Sequence, residues 1–142
     1  MDVSYNPASC CVAEGELVIV GIGTDLVSIS RIGAVLERRP TFAQRILTAY
    51  ELEIFNKEIN PAAYLAKRFA AKEAIAKALG CGIGARMSWQ DVETRRGPSG
   101  APEVSLKGAA WAQMQALGAS RCHLSMSDEV SVALAFAVIE TD

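Results

Sequence analysis

The sequence lacks several features that would place it in a specialised class of protein. It has 142 residues, and none of its apolar runs reaches the roughly 20 residues that a transmembrane helix needs. Its N-terminus has no basic segment followed by an apolar one, which a secretory signal would require. A formal net charge of −2 argues against general nucleic-acid binding. With 51% hydrophobic and 21% charged residues, the composition is that of a globular chain. We therefore expect a cytoplasmic domain without nucleic-acid or membrane partners.

Cysteine and histidine are also scarce. The four cysteines, at positions 10, 11, 81 and 122, lack the spacing of zinc ligands, and the adjacent pair is a poor disulfide framework. We predict reduced thiols, in keeping with a cytoplasmic protein. The single histidine, His123, has apolar neighbours on a predicted strand, where histidine is more often structural than functional.

The most distinctive segment is residues 68 to 80 (RFAAKEAIAKALG), which predicts an alanine-rich helix. Glu73 lies within a stripe of apolar or small residues, and Lys77 lies one helical turn beyond it. A carboxylate in such a stripe is costly to bury without a cation or hydrogen-bond partners. Lys77 is one candidate partner and a bound metal is another. The alternative is an ordinary surface Glu–Lys pair, worth roughly 0.2–0.5 kcal/mol.

An apolar, β-branched run, residues 17 to 22 (LVIVGI), predicts a buried strand ahead of this helix. Gly21 and Gly23 would allow another backbone to approach closely, and Asp25 is expected where the strand ends. No third glycine follows at the spacing of a dinucleotide-binding turn, so the pair does not indicate a Rossmann fold. Asp25 could also be a simple turn residue before a helix that a serine caps.

The remaining pattern predicts an α+β fold, with an antiparallel sheet packed against a long central helix. Short helices are expected within residues 42 to 58, and the long helix is expected to begin near Pro61. The later segments predict strands at 89 to 95, 102 to 106, 121 to 126 and 130 to 139, and a helix at 107 to 117. No repeat or linker interrupts the chain, so we expect a single domain at residues 17 to 142 after a loose extension at residues 1 to 16.

Two segments in this order, GIGTDLVSISRI and RFAAKEAIAKALG, closely resemble the signatures of holo-[acyl-carrier-protein] synthases of the 4'-phosphopantetheinyl transferase superfamily. Further matching pieces follow in the family's order: GIG, SWQDVE, GAP and the closing HLSMSDEVSVALAFAVIE. The resemblance implies that coenzyme A donates its 4'-phosphopantetheine arm to a serine of an acyl carrier protein, or of a carrier domain in a fatty acid synthase. Adenosine 3',5'-bisphosphate would be released. It also implies a homotrimer with active sites at the subunit boundaries.

The resemblance implies roles for individual residues. Asp25 and Glu73 match the family's two ligands for Mg²⁺, which would bridge phosphate oxygens of coenzyme A. Glu73 is also the candidate general base, acting directly or through a metal-bound water, and that water alone is the alternative. Lys77 matches the lysine that lies against the phosphates. Arg31 matches a position that contacts the acidic carrier protein, and Arg38 is a weaker match.

Other candidates for coenzyme A binding lie on or just after the long helix: Arg68, Lys72, Gly80, Cys81 and Gly82. Lys72 points about 100° away from Glu73 around the helix and is assigned to the adenosine phosphates. Cys81 stands where many relatives have threonine, which would weaken a hydroxyl contact.

One position departs from the family pattern. Relatives commonly have Ser-(Ser/Thr)-His in the last strand pair, and that histidine faces the phosphates. Here the string is SMSD, so Asp128 occupies the histidine position. An anion there would repel coenzyme A unless a cation or the metal compensates it. We hypothesise that Asp128 adds a metal ligand or shifts the docking of the adenosine, which would alter activity without abolishing it.

Three functions are therefore in competition. The first is a Mg²⁺-dependent phosphopantetheinyl transferase. The second is a catalytically impaired subunit that binds coenzyme A or serves in an assembly, for which Asp128 is the only support. The third is a metal-dependent nucleotide hydrolase that uses the same carboxylates on water, which the arginine-bearing first helix disfavours.

Overall fold

The computed structural model describes residues 16 to 142. The elements, in chain order, are β1 (Ile19–Ser28), α1 (Ile29–Arg38), α2 (Phe42–Ile46), α3 (Ala49–Phe55), α4 (Pro61–Ala78), a 3₁₀ turn (Trp89–Asp91), β2 (Val92–Arg96), β3 (Pro102–Leu106), α5 (Gly108–Ala116), β4 (Arg121–Asp128) and β5 (Val132–Glu140). Apart from Glu16, the predicted N-terminal extension lies outside the described residues.

A three-stranded antiparallel sheet in the order β1-β5-β4 packs against α4, and β2 and β3 form a separate hairpin. Alternate residues of β5 face α4 and are fully buried, among them Ala133, Ala135 and Ala137. Their small side chains let the helix lie close to the sheet. The predicted α+β class with an antiparallel sheet and a long helix is confirmed.

The long helix α4 has clear signals at both ends. The side chain of Asn60 accepts a hydrogen bond from the backbone N–H of Ala63 at 3.1 Å, and Pro61 occupies the first helical turn as predicted. Gly80, with φ of 68°, follows the end of the helix, because glycine adopts this left-handed conformation without steric cost. Between these signals the alanines of α4 form much of the core.

The closest approach of α4 to the sheet depends on two glycines of β1. A Cβ atom at Gly21 would overlap the carbonyl oxygen of Ala78, and one at Gly23 would overlap that of Ala74. Both overlaps involve backbone atoms, which cannot move aside without displacing the helix. The glycines predicted to allow close backbone approach therefore bring the C-terminal part of α4 against β1.

The structure corrects two of the predicted boundaries. Asp25 does not mark the end of a strand, because β1 pairs with β5 as far as Ser28, and Asp25 lies within it opposite Ala135. Residues 89 to 91 form a 3₁₀ turn that Ser88 caps, so the predicted strand begins later, at Val92. Within residues 16 to 142, no helix is long and apolar enough to cross a membrane.

Candidate functional site

Lys77 connects α4 directly to β1. Its ammonium nitrogen donates to the carboxylate Oδ1 of Asp25 at 3.1 Å and to the backbone carbonyl of Thr24 at 2.8 Å. The side chain of Asp25 is 18% exposed and that of Lys77 is 53% exposed, so the pair lies at the surface of the cleft between strand and helix. The structure thus brings together two of the three residues predicted for catalysis.

Glu73, the third of them, lies one helical turn before Lys77 and lines the same cavity as Asp25. Partial burial raises the pKa of the Glu73 carboxyl, and the negative charge of Asp25 raises it further. The Lys77 ammonium acts in the opposite direction but does not cancel the shift. Two carboxylates that repel each other beside a single ammonium form a site in which an added cation would be stabilised.

The cavity that contains Asp25 and Glu73 has a volume of about 550 Å³ and an otherwise mainly apolar lining. Phe69 lies one turn before Glu73, and its ring packs against that of Trp89 with centroids 4.8 Å apart. Arg31, the predicted carrier-binding residue, also lines this cavity. Acidic groups, an apolar wall and an arginine therefore line the same cavity.

Helix α1 places its arginines as predicted. The Ser28 hydroxyl caps the helix by accepting from the backbone N–H of Arg31 at 3.3 Å. Arg31 and Arg38 are exposed and two turns apart, so they share one face. Arg38 lies away from the cavity that contains Glu73, and its side chain donates to the carbonyl of Ala34 at 3.2 Å.

Lys72 does not reach the surface, and this corrects its predicted contact with the adenosine phosphates. Its side chain is 0% exposed, and its ammonium donates to Glu51, to the carbonyl of Ile46 and to that of Trp89. All three N–H groups are therefore used inside the protein. Burial lowers the pKa of Lys72, and the Glu51 carboxylate opposes that effect.

Arg68 and Asp128 lie in a second cavity, of about 430 Å³. The Asp128 carboxylate is 3.2 Å from the ammonium of Lys67, and the Arg68 guanidinium lies over the ring of Tyr64, 4.6 Å from its centroid. Four basic side chains line this cavity: Lys67, Arg68, Arg95 and Arg96. Lys67 therefore supplies the cation that is needed to compensate the negative charge of Asp128.

The structure corrects the hypothesis that Asp128 is a metal ligand within one protomer. Asp128 is opposite Ala133 on the β4 side of β5, whereas Asp25 is on the β1 side, so about two strand spacings, roughly 10 Å, separate their backbones. In residues 16 to 142, no three acidic, histidine or cysteine side chains are placed to hold a common metal ion. The hypothesis that Asp128 influences adenosine docking stays a prediction.

In the segment after α4, the backbone is accessible to a ligand but the Cys81 side chain is not. Gly80 and Gly82 are exposed, and a Cβ at either would meet no atom within 4 Å. The Cys81 side chain points inward, with its sulfur 4.0 Å from that of Met87, and burial raises its pKa. A contact from the side chain at position 81 to a ligand is therefore disfavoured, while the flanking backbone stays accessible.

The sequence matches a described family over most of its length. The family described as the 4'-phosphopantetheinyl transferase superfamily matches residues 21 to 135. The chain belongs to this superfamily. A holo-[acyl-carrier-protein] synthase of Shewanella piezotolerans is 47% identical over 131 residues, which cover 87% of this chain and 100% of the relative.

Solved structures of superfamily members have the same fold. The holo-[acyl-carrier-protein] synthase of Neisseria meningitidis superposes with a TM-score of 0.81 at 45% identity, covering 87% of this chain and 100% of the other. The Helicobacter pylori synthase in complex with coenzyme A superposes with a TM-score of 0.73 at 31% identity, covering 83% and 98%. The superfamily assignment made from the two signature segments is confirmed.

Several residues of these cavities escaped the sequence reasoning. Lys67 directly precedes Arg68, and two adjacent basic residues are a local sign of an anion-binding surface. Arg95 and Arg96 come from the β2–β3 hairpin, and nothing local indicates that they line the same cavity as Arg68. His123 lies 2.8 Å from Glu140 on the neighbouring strand, and its side chain is 57% exposed.

Proposed function

We propose that this protein transfers the 4'-phosphopantetheine arm of coenzyme A to a serine of an apo acyl carrier protein, or of a carrier domain in a fatty acid synthase. The observation that carries the proposal is the placing of Asp25, Glu73 and Lys77 where β1 meets α4. Identity of 47% to a holo-[acyl-carrier-protein] synthase across nearly the whole chain supports the same reaction.

The donor set fits Mg²⁺. This ion is bound through one or two carboxylates, with water and substrate phosphates completing its coordination, so a site with only two carboxylates is suitable. Asp25 and Glu73 would hold it. Burial raises the pKa of the Glu73 carboxyl and the negative charge of Asp25 raises it further, so the site favours an added positive charge. Bound there, Mg²⁺ would offset the charge of the pyrophosphate that otherwise repels the nucleophile.

In the proposed reaction, the serine oxygen forms a bond to the β-phosphorus of coenzyme A. The bond from that phosphorus to the bridging oxygen breaks, and adenosine 3',5'-bisphosphate leaves with the electron pair. Glu73, which lines the carboxylate cavity, takes the serine proton either directly or through a water molecule. The Lys77 ammonium stabilises the negative charge that develops on the leaving phosphate.

The second cavity is proposed to bind the adenosine end of coenzyme A. Four basic side chains give it the charge to hold a phosphate group, and Asp128 and Glu58 supply the opposing charge. Among the described residues, the two cavities share no lining side chain. We therefore propose that the adenosine cavity of one protomer is completed by the carboxylate cavity of its neighbour.

An exposed apolar face of the sheet supports such an assembly. Ile22, Leu26, Leu134 and Phe136 are between 41% and 64% exposed, and they lie on the face of β1 and β5 that points away from α4. A contiguous apolar patch of this kind marks an interaction surface. We propose that it is the contact between the subunits of a homotrimer.

Arg31 and Arg38 are proposed to bind the acidic carrier protein. Arg31 lines the carboxylate cavity, so a carrier docked on α1 would present its serine to Glu73. Exposed charges at a rim act chiefly on the association rate, which falls as salt concentration rises. The two described cysteines, Cys81 and Cys122, are free thiols, in keeping with the proposed cytoplasmic location.

The competing functions have less support. An impaired subunit was suggested only by Asp128, and the pairing of that residue with Lys67 removes much of its repulsion for phosphate. A nucleotide hydrolase would not need the arginines of α1 beside the carboxylate cavity.

Intact-mass spectrometry tests the proposed function. Apo acyl carrier protein, incubated with this protein, coenzyme A and Mg²⁺, should gain one phosphopantetheine group of about 340 Da, and a chelator should abolish the gain. Release of adenosine 3',5'-bisphosphate without a mass gain would indicate hydrolysis instead. Binding of coenzyme A with neither product would indicate the impaired subunit.

A further inference from the structure

A buried ion pair between Lys72 and Glu51 connects α4 to the elements around it. The Lys72 ammonium is 2.8 Å from the Glu51 carboxylate on α3, 2.8 Å from the carbonyl of Ile46 on α2 and 3.0 Å from that of Trp89. Both side chains are 0% exposed. One ammonium group thus holds three separate segments of the chain.

Glu51 extends the network to the hairpin. One carboxylate oxygen accepts from Lys72 and from the backbone N–H of Thr48, at 2.8 and 3.0 Å. The other accepts from the backbone N–H and the hydroxyl of Thr94 on β2, at 2.8 and 3.2 Å. Ammonium and carboxylate are both saturated with hydrogen bonds, so the geometry of the pair is closely defined.

Stability alone does not account for such a pair. A buried ion pair often contributes no more to folding than well-packed apolar side chains of the same volume, because two charges must be removed from water. Directional hydrogen bonds, in contrast, hold each partner in a single orientation. The main effect of the network is therefore to fix the orientation of α4.

That geometry reaches the proposed active site within one residue. Lys72 immediately precedes Glu73, and consecutive helical residues are about 100° apart, so holding Lys72 on the inner side of α4 sets the direction of Glu73. A second contact of α4, between Ala74 and Gly23, sets how closely the helix approaches β1. Trp89 adds a second path, since its carbonyl accepts from Lys72 and its ring packs on Phe69 in the wall of the carboxylate cavity.

We propose that Lys72 and Glu51 are positioning residues, whose buried ion pair fixes the rotation of α4 and thereby the placing of Glu73 opposite Asp25. This inference rests on the proposed phosphopantetheinyl transfer for its kinetic consequence. Neither residue contacts the substrate in it.

The test removes both charges together, in the double variant Glu51→Gln/Lys72→Met. Because a misplacement of about 1 Å can cost up to about 100-fold in rate, we expect kcat for carrier modification to fall about 10- to 100-fold. KM for coenzyme A should change less than about threefold, because the basic side chains of the adenosine cavity are untouched. Mn²⁺, titrated into the free protein and followed by electron paramagnetic resonance, should bind about tenfold more weakly.

A matched control separates positioning from general destabilisation. Met114→Ala removes a buried side chain of α5, which is outside the network. It should lower the melting temperature but leave kcat and Mn²⁺ affinity near wild type. If the double variant does not fold, the same comparison uses Thr94→Val, which removes only the hydroxyl bond to Glu51 and should lower kcat about three- to tenfold.

The outcomes distinguish the two proposals. Wild-type kcat and Mn²⁺ affinity in the folded double variant, or in Thr94→Val where that variant replaces it, would overturn the positioning role. An equal loss of both in Met114→Ala would overturn it too. If the wild-type protein modifies no carrier, the proposed function fails, and the Mn²⁺ titration still decides whether the pair positions the carboxylates.

Discussion

At the scale of single residues, the site depends on an imbalance of charge. Glu73 and Asp25 repel each other, and Lys77 compensates only part of that repulsion. Burial raises the pKa of the Glu73 carboxyl and this repulsion raises it further, so the group is easier to protonate than a free glutamate and would be stabilised by a cation. The same property makes Glu73 costly to the fold and useful to the chemistry.

The first prediction concerns Glu73→Gln. The folded-state pKa of Glu73 is raised above the usual 4.5, so its stability contribution is complete below that value and is lost as pH rises through the folded pKa. Glutamine cannot ionise, so without metal the variant should melt at a higher temperature than wild type near about pH 7, and the difference should vanish at about pH 4. Transfer activity should fall at least about 100-fold.

The control for this prediction is Glu53→Gln, which changes an exposed carboxylate of α3. Calorimetry should detect little change in its melting temperature, and its transfer rate should equal that of wild type. A Glu73→Gln protein that melts lower at neutral pH would contradict the assigned cause of the pKa shift.

The second prediction concerns Lys67 and Asp128. Their side chains are 31% and 40% exposed, so the pair is worth at most about 1 kcal/mol to the fold. Lys67→Met leaves the Asp128 charge uncompensated beside the proposed adenosine site, and KM for coenzyme A should rise about fivefold, equivalent to about 1 kcal/mol. Adding Asp128→Asn should return KM to within about twofold of wild type. Steady-state kinetics of the two single variants and the double variant provide the measurement.

If KM for coenzyme A is as high in the double variant as in Lys67→Met, then Lys67 itself contacts the nucleotide, and its pairing with Asp128 does not affect binding. The guanidinium of Arg95 lies over the ring of Tyr50. Tyr50→Phe is a suitable control, because phenylalanine keeps the aromatic face that the guanidinium covers.

At the scale of secondary structure, one strand and one helix place the residues proposed for catalysis. The backbones of β1 and α4 approach closely because Gly21 and Gly23 have no side chain to separate them. The continuous pairing of β1 with β5 from Gly21 to Ser28 then holds Asp25 in the strand. The site is therefore built on rigid elements rather than on loops.

The third prediction follows from that contact. In Gly23→Ala the added Cβ would overlap the backbone of Ala74, so α4 must shift away from β1. We expect a loss of about 2–4 kcal/mol in the free energy of unfolding and a large loss of activity. Gly82→Ala is the matched stability control, because its Cβ would meet no atom within 4 Å, and its unfolding free energy should change by less than about 0.5 kcal/mol. Urea denaturation measures both; equal stability of the two variants would show that the close approach is not required.

At the scale of the whole molecule, the exposed apolar face of the sheet is the feature that a single protomer leaves unexplained. Phe136 is 41% exposed and Leu26 is 64% exposed on neighbouring strands of an otherwise well-packed sheet. The homotrimer proposed above would cover them, and in that proposal the cavities of adjacent protomers complete each other. Assembly and activity should therefore be lost together.

The fourth prediction is the mass of the particle in solution. Light scattering should give three times the protomer mass of 15.1 kDa. Leu26→Asp should dissociate the assembly and abolish transfer, because a charge cannot be buried there without a partner. Ile59→Asp, at a fully exposed position on the loop before α4, should change neither. A fully active monomer would refute the shared-site arrangement.

The sequence by itself determined the elements and the residues of the metal-binding proposal. Alanine content, Pro61 and Gly80 predicted α4, and the apolar run with Gly21 and Gly23 predicted the strand beside it. These are local signals, because helix capping and strand propensity depend on neighbours within a few residues. Two spaced signature segments were enough to identify the superfamily.

The tertiary structure alone decided which charges are buried and which line the cavities. Lys72 and Glu51 are 21 residues apart, and no local pattern showed that they meet in the core. Lys67 and Asp128 come from a helix and a strand that only the packing brings together. The physical reason is that burial and ion pairing depend on contacts distant in the chain, whereas helices and strands depend on residues close in it.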